Sequence, residues 1–431
     1  MKPITTFLRR QKKALLDQFA GPEWPQASAQ PPLRPIRRRK AAANAATQPN
    51  MLSIACPDPT TEEQARDQHQ QAAQRMVRQE NWAGLSDAIR GADHARNMTP
   101  GCMPVAELMA YGARADVTLA AEHALLTGRP AQDAPLLAGI ESLEHVLADH
   151  PDDHIIAAIV AQAHMDIGWA WRGTGWETEV PARNREAFNA HFDRAADILR
   201  PYDAATLDSP LLAAAACALL GGMEEADHRA ADLYETLIDL NPANPRAFRA
   251  MGSHLLPRWY GSYTELEIEA RRTAARTQST WGAGGYTWVQ FDAIACDDEA
   301  CAQLDLGFFI DGMRDILTRR TDSYTVNMLA AYCATGIGQS FSGNAEADRN
   351  RQAIGACARW IVRDHLTELH PLIWAHAARG FDNNLRVASP ARFAAAGRDE
   401  AMRVITGLFS REIASGQRIV FTDTGAEAVT G

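Results

Sequence analysis

Histidine and aspartate residues cluster in one short stretch of the chain, His150-Pro-Asp-Asp-His154, with His145 and His164 nearby. Imidazole nitrogens and carboxylate oxygens are side-chain groups that bind divalent metals. A metal site also needs a closed set of ligands in a defined geometry, which this stretch does not supply by itself. A turn between two helices explains the same residues, because Asp152 and Asp153 favour the start of a following helix. The sequence favours the turn, and we predict no metal site.

Three further patterns that could carry chemistry are incomplete. Glu225-Ala-Asp-His228 has the Glu-x-x-His spacing of di-iron bundles, but those sites need a second copy and two more carboxylates. Cys296 and Cys301 flank an acidic turn without a histidine or a second cysteine pair, so zinc is not indicated. Gly282-Ala-Gly284-Gly285 does not follow a strand-like segment, as a dinucleotide-binding loop would. Walker, Gly-x-Ser-x-Gly and His-Glu-x-x-His patterns are absent. We predict no catalytic residue and no cofactor, and we leave enzymatic activity open.

Tryptophan, tyrosine and arginine residues concentrate in three glycine-containing elements. They are Trp169, Trp171, Arg172 and Trp176; Arg258, Trp259, Tyr260 and Tyr263; and Trp281, Tyr286 and Trp288. Tyr, Trp and Arg dominate the energetics of binding interfaces, so the three elements are candidates for one anchor patch. The alternative interpretation is that the aromatic rings fill irregular joints between helices. A single groove shared by all three elements would favour the anchor patch.

The elements that position these side chains are predicted to be helices. Residues 230–252 indicate one helix with an apolar face at Leu233, Leu237 and Leu240, a turn at residues 241–245, and a second helix. A ridge of small residues would let these two helices approach closely. The ridge consists of Ala230, Ala231, Ala247, Ala250 and Gly252.

The helical hairpin recurs along the chain. Residues 143–159 and 316–331 keep the same positions relative to the turn, and a weaker match joins residues 198–201 to an alanine-rich helix at residues 211–220. The spacing indicates a unit of roughly forty residues, which is in the range of helical-repeat families. Each hairpin has an apolar face that it cannot bury alone. The sequence therefore predicts an α-α superhelix, a solenoid of stacked hairpins with a concave surface.

The junction at residues 230–252, in which one helix ends in Leu-Asn-Pro and the next begins with Asn-Pro, resembles a tetratricopeptide (TPR) junction. The Arg-Gly-Thr-Gly-Trp element at residues 172–176 and the Pro-Arg-Trp-Tyr-Gly-Ser element at residues 257–262 extend this likeness. Together with the hairpins they resemble a bacterial TPR-like family of unknown function, over roughly residues 75–380. The resemblance implies a TPR-like solenoid and supplies no catalytic residue.

Composition agrees with an all-α protein. Apolar residues make up 46% of the chain and charged residues 22%, and alternating runs of Val, Ile and Thr are nearly absent. The longest apolar run, residues 211–220, is too short for a bilayer, which needs about 20 residues. Seven scattered cysteines fit reduced thiols better than a disulfide framework, and the N-terminus has no apolar signal-peptide core. We therefore expect a cytoplasmic protein without a transmembrane segment.

Charge divides the chain into a basic arm and an acidic body. Residues 1–40 carry ten basic and two acidic groups, although the whole chain has a net charge of −10. We predict a largely disordered, Pro- and Ala-rich arm and linker over residues 1–59, a helical-repeat domain over 60–415, and a frayed tail over 416–431. An acidic body binds nucleic acid poorly, so contact with nucleic acid or an anionic membrane is expected only through residues 1–40.

The sequence supports two hypotheses for function. The first is a non-catalytic scaffold that binds an unidentified protein or peptide partner on its concave face through the aromatic elements. The second is an enzyme or small-molecule-binding protein with a pocket between hairpins, in which Arg172 or Arg258 holds an anion and His or Asp residues transfer protons. Convergent titratable groups in an enclosed pocket would favour the second hypothesis.

Overall fold

Helices dominate the computed structural model of the protein, which describes residues 51–126, 130, 136–173, 179–222, 230–379, 387 and 389–430. These described residues contain nineteen α-helices and three short strands. The predicted all-α class is therefore confirmed at this level. Residues 1–50, which hold most of the predicted disordered arm, lie outside the described residues.

The first nine helices run from residue 61 to residue 254. They are α1 Thr61–Arg78, α2 Trp82–His94, α3 Val105–Ala124, α4 Ala138–Asp149, α5 His154–Arg172, α6 Ala182–Leu199, α7 Pro210–Leu219, α8 Ala230–Leu240 and α9 Pro245–His254. A 3-10 turn, Leu220–Gly222, follows α7. Thr60 starts α1 in a capping box, since its side chain accepts the Glu63 N–H while the Glu63 carboxylate accepts the Thr60 N–H.

Ten further helices complete the described chain. They are α10 Tyr263–Arg276, α11 Gln278–Trp281, α12 Gly284–Cys296, α13 Asp298–Ala302, α14 Leu306–Arg319, α15 Ser323–Ala331, α16 Ala345–Asp364, α17 Pro371–Arg379, α18 Pro390–Leu408 and α19 Ser410–Ala414. A π-helical segment, Tyr332–Gly336, continues α15 directly. Such segments are rare in proteins and are frequent at functional sites.

The turns that the sequence predicts between helices are present. Asp153 starts α5 by accepting two backbone N–H bonds at 2.9 and 3.2 Å. Asn244 starts α9, Asp322 starts α15 and Ser209 starts α7 in the same manner. Each cap gives a partner to a backbone N–H that has none inside its helix, and this favours the start of a new helix at that residue.

A small residue of the predicted ridge permits a close approach to a helix that the prediction did not name. The predicted ridge was to bring α8 and α9 together. In the structure α9 also packs along α12, and a Cβ atom added at Gly252 would overlap the carbonyl oxygen of Val289 in α12. Helices α8 and α9 are also in contact, so Gly252 serves a second helix contact that the prediction did not name.

The two ends of the described chain form a three-stranded sheet in the order β1-β2-β3. Strand β1, Leu52–Ser53, runs parallel to β2, Gln417–Thr422, and β2 pairs with β3, Gly425–Thr430, in antiparallel register. The side chain of Ile419 is fully buried. The prediction of a linker up to residue 59 is thus wrong at Leu52–Ser53. The prediction of a frayed tail over 416–431 is wrong at β2 and β3. The reason is that β1 finds its hydrogen-bonding partner at the far end of the sequence, which local composition does not indicate.

Contacts beyond the sheet also tie the start of the described chain to its later helices. The Leu369 N–H donates to the Ala55 carbonyl at 2.8 Å, and Arg320 donates to the Pro100 carbonyl at 3.2 Å. Buried apolar residues form two clusters, one within residues 73–215 and the other mainly within residues 213–421. Across the part of the chain that the structure describes, no helix is both long and apolar enough to cross a membrane.

Candidate functional site

The third aromatic element lies in the hydrophobic core. Trp281, Tyr286 and Trp288 are each 1% exposed or less. The Trp281 indole N–H donates to the Pro242 carbonyl at 2.6 Å, and its ring packs edge-on against Trp288. These three residues therefore hold α12 against its neighbours and offer no ring surface to a partner.

The first aromatic element is divided between the core and the surface. Trp171 is buried, whereas Trp169 is 38% exposed and packs edge-on against Phe188 and Phe192 of α6. The guanidinium of Arg172 lies 5.7 Å from the centre of the Trp169 ring, within range of a cation–π contact. Trp176 lies outside the described residues.

The second aromatic element lies at the surface after α9. Arg258 is exposed, Trp259 is 44% exposed and Tyr263 is half-buried. The half-buried Tyr260 donates its hydroxyl to the Leu220 carbonyl. The next residue, Gly221, lies against Trp169 of the first element, since a Cβ there would come within 2.7 Å of the indole. The structure thus brings two of the three elements to one turn and places the third elsewhere.

The histidine-rich turn acts as a helix stop and start. Asp153 caps α5, and His154 is the first residue of that helix. No group of three or more His, Cys, Asp or Glu side chains in the described ranges is arranged to hold a metal ion. The Glu225–His228 pattern lies outside those ranges. Cys296 and Cys301 are both free thiols, and Cys301 is buried.

A buried polar network that the sequence did not indicate joins α4, α5 and α6. The two histidines His164 and His191 approach to 2.9 Å through their Nδ1 atoms, and the other ring nitrogen of His164 lies 2.9 Å from Glu144. Arg194 binds the same carboxylate with two bonds of 2.6 Å. Burial raises the pKa of Glu144, but the bonds from Arg194 and His164 outweigh it and lower that pKa to about 2. The network therefore pairs Glu144 with two protein donors between these three helices.

Titratable groups from distant parts of the sequence converge on a cavity of about 330 Å³. We call it the Arg249 cavity. Its walls come from α1, α9, α15 with its π-helical extension, and α17. The lining residues are Thr60, Glu62, Glu63, Arg66, Arg249, Tyr324, Met328, Tyr332, His370, Leu372, Ile373 and His376. This volume is at the lower end of the range for small-molecule sites, which is about 300–1,000 Å³.

Arg249 is the less exposed of the two arginines that line this cavity. Its side chain is 19% exposed, and Nε donates to the Asp292 carboxylate at 2.7 Å. Nη1 contacts the Met328 sulfur at 3.2 Å, and the guanidinium lies 5.3 Å from the centre of the Phe291 ring. Burial opposes the charge, but the Asp292 carboxylate raises the pKa of Arg249, so the residue stays cationic. A guanidinium has five N–H donors, of which Asp292 and the weak acceptor sulfur engage only part.

Carboxylates at the cavity wall are already satisfied by protein donors. Glu62 is 2% exposed and accepts bonds from the Thr99 hydroxyl at 2.9 Å and the Gly101 N–H at 2.7 Å. Glu63 accepts both the N–H and the hydroxyl of Thr60, at 2.8 and 2.9 Å. These hydrogen bonds stabilise the start of α1 and the loop after α2, and they use acceptor positions of both carboxylates. The wall consequently offers a ligand more donors than acceptors.

His370 is positioned by a fully buried asparagine. Asn327 accepts the His370 backbone N–H and the Trp374 indole N–H, both at 3.0 Å, and donates to the Glu368 carbonyl at 2.9 Å. The ring nitrogen Nε2 of His370 lies 2.9 Å from the Glu368 carboxylate. A carboxylate paired with an imidazole fixes the ring orientation and its tautomer. The turn before α17 thus carries an oriented histidine on the cavity wall.

Two tyrosines bring hydroxyl groups to the same wall. Tyr324 lies in the first turn of α15, and Tyr332 begins the π-helical segment. Burial raises the pKa of Tyr332 to about 12, against the opposing charge of Arg249, so its hydroxyl is protonated at neutral pH. Partial burial lowers the pKa of His376, which keeps that imidazole neutral. The chemistry available is therefore hydrogen-bond donation beside two guanidinium groups, that of Arg249 and that of Arg66, which pairs with Glu62 at 3.6 Å.

Comparisons of the chain with family models, with curated proteins and with solved structures find no match. The resemblance to a TPR-like family therefore stays a prediction. The Arg249 cavity was missed by the sequence analysis, which considered Arg172 and Arg258 as anion-binding residues. Arg249 and its partner Asp292 lie 43 residues apart in helices of ordinary composition. The weak local signal was Glu368-x-His370-Pro371, a carboxylate and an imidazole two residues apart just before a helix start.

Proposed function

We propose that the protein binds a small carboxylate-bearing molecule in the Arg249 cavity. The observation that carries this proposal is the excess of donors there. Arg249 keeps its charge and Tyr324 lines the same wall, while Glu62 and Glu63 are occupied by protein donors. Acceptor-rich anions pair favourably with guanidinium groups, and the bonds they form are stronger than neutral ones.

The apolar part of the ligand is expected to contact the remaining wall. Met328, Leu372 and Ile373 line the cavity beside the polar groups. Small-molecule sites are mostly apolar with a few polar groups that fix orientation. We therefore propose a short branched or cyclic aliphatic acid in place of an inorganic anion. This is the second of the sequence hypotheses, with Arg249 in the role that was assigned to Arg172 or Arg258.

A thermal-shift panel tests the proposal. Short aliphatic acids are compared with the primary amides of the same carbon skeleton, because the amide keeps the shape and removes the charge. We expect at least one acid to raise the melting temperature while its amide does not, since a ligand at 100 times its Kd adds about 2.7 kcal/mol to stability. Equal shifts for acid and amide, or no shift with any acid, would count against the proposal.

A second candidate function is binding of a protein or peptide by a helical-repeat scaffold. The observation in its favour is that Trp169 and Trp259, both well exposed, belong to elements that contact the same turn at Leu220–Gly222. In this proposal the hairpins form a degenerate TPR-like solenoid, and the two indoles anchor the partner. Co-purification with the wild type and with an Arg258→Ala/Trp259→Ala variant tests it. A partner retained equally by both proteins would contradict a role for this turn.

A further inference from the structure

A second cavity, of about 510 Å³, lies between α6, α7 and α8. We call it the acidic groove. Apolar side chains of all three helices line it, including Phe192, Leu212 and Leu233. The described wall also carries three carboxylates and one guanidinium. These are Asp193, Asp197, Asp203 and Arg200.

The carboxylates of the acidic groove are accessible to a partner. Asp193, Asp197 and Asp203 are all exposed. Asp197 binds Arg200 at 2.8 Å, and Asp203 accepts the Thr206 N–H at 2.7 Å. The groove therefore joins an apolar floor to a rim of net negative charge. Such a surface is complementary to a segment that has apolar side chains and several basic ones.

We propose that residues 1–20 of this chain occupy the acidic groove. That segment carries five large apolar side chains and five basic ones against a single acidic residue. They are Phe7, Leu8, Leu15, Leu16 and Phe19; Lys2, Arg9, Arg10, Lys12 and Lys13; and Asp17. Residues 1–40 have ten basic and two acidic groups within a chain of net charge −10, so the body carries the opposite charge. The apolar side chains would meet the floor of the groove, and the basic ones would meet its rim.

The connection between the two parts of the chain is long enough. The described chain begins at Met51, whose carbonyl accepts the Ile419 N–H at 2.8 Å. Residues 21–50 span up to about 100 Å when extended, at roughly 3.3 Å per residue. A compact chain of 431 residues has a radius of gyration of only about 22 Å, so the extended connection can reach the groove. Tethering also raises the effective concentration of residues 1–20 to the millimolar range, so a weak contact suffices. This inference is independent of the ligand in the Arg249 cavity.

Limited trypsin digestion of the full chain, followed by mass spectrometry, tests the proposal. Cleavage after Arg10 and Lys13 reports on the proposed segment, and cleavage after Arg37 and Arg38 is an internal reference from the same arm. We expect the first pair of sites to be cut about tenfold more slowly than the second, because ion pairs with the rim add to burial of the apolar side chains; tenfold protection corresponds to about 1.4 kcal/mol. Equal cleavage rates at both pairs would overturn the proposal.

Charge reversal of the groove carboxylates, and then of basic residues in residues 1–20, tests whether the groove is the binding surface. Asp193→Lys/Asp203→Lys is expected to remove the protection, whereas Asp67→Lys/Asp399→Lys, at exposed positions elsewhere, is expected to keep it. Adding Arg9→Glu/Lys12→Glu to the groove variant is expected to restore it, relative to Arg9→Glu/Lys12→Glu alone, which has the same residues beside both cleavage sites. Protection that survives the groove variant would overturn the assignment, as would failure of the combined variant to restore it. Protection that depends on protein concentration would assign the groove to a second copy and overturn the intramolecular proposal. Helicity of each variant, measured by circular dichroism, confirms that the folded chain is compared.

Discussion

Replacing Asn327 is the sharpest test of how the Arg249 cavity is built. This side chain is fully buried in α15. Its amide donates to the Ser323 carbonyl at 2.8 Å and the Glu368 carbonyl at 2.9 Å. Its oxygen accepts the backbone N–H of His370 and the indole N–H of Trp374, both at 3.0 Å. One residue thus holds the turn that carries His370 to the cavity.

We expect Asn327→Ala to lower the free energy of unfolding by about 2–6 kcal/mol. Two buried donors, on His370 and Trp374, would lose their partner, and each unsatisfied buried group costs about 1–3 kcal/mol. Asn350→Ala is the matched control, because Asn350 is buried in α16 with one described bond of 2.8 Å, to the Cys301 carbonyl. That control removes the partner of one buried group instead of two, so it should cost about 1–3 kcal/mol, half of the loss expected for Asn327→Ala.

Urea unfolding followed by tryptophan fluorescence measures both variants. The midpoint should fall much further for Asn327→Ala than for Asn350→Ala, at an unchanged slope with denaturant. If the two variants lose similar stability, the four bonds of Asn327 do not hold the turn in the way that the structure implies. The assignment of His370 to the cavity wall would then lose its structural basis.

Two further predictions concern the helices around the site. Gly252→Ala should destabilise the protein by about 3 kcal/mol or more, because the new methyl group overlaps the Val289 carbonyl. The control Gly91→Ala should be neutral or stabilising by up to about 1 kcal/mol, since its Cβ meets no atom within 4 Å. Thermal melts of the two variants compare them directly. Burial lowers the pKa of both His164 and His191, so below about pH 6.5 the unfolded chain binds more protons than the folded chain. Stability should therefore fall as the pH drops from 6.5 toward 5, by up to about 1.4 kcal/mol per pH unit for each histidine. In His191→Gln the urea midpoint should depend less steeply on pH than in the wild type. A variant whose urea midpoint changes with pH as steeply as that of the wild type would refute this assignment.

The local signals in the sequence predicted helices and turns well. Asn244 and Asp153 occupy positions where a short polar side chain caps a helix, and both do so in the structure. These effects act over three or four residues, and local sequence contains all the information they need. The frayed tail failed for the opposite reason. The pairing of Leu52 with Ile419 joins residues that are far apart in the chain, and no local pattern indicates such a partner.

The candidate site was hard to predict for the same physical reason. Aromatic rings signal binding and core packing equally well, so Trp281 and Trp288 gave no indication of which role they have. The role of Arg249 depends on the packing of α9 against α12, which brings the Asp292 carboxylate to its guanidinium. A charged side chain in a helix is usually solvent-exposed, and only the tertiary contact reveals that this one is retained inside.

The most direct test of the central claim is a calorimetric titration of 4-methylpentanoate and of its amide into the wild type and into Tyr324→Phe. Tyr111→Phe, on an exposed tyrosine outside the cavity, is the matched control. We predict that the acid binds and the amide does not. We also predict that Tyr324→Phe weakens binding of the acid about tenfold or more, because a hydrogen bond to a charged group contributes about 1.5–3 kcal/mol, and that Tyr111→Phe leaves it unchanged. Binding of acid and amide with the same affinity, or an affinity for the acid that Tyr324→Phe does not alter, would contradict a carboxylate site in the Arg249 cavity.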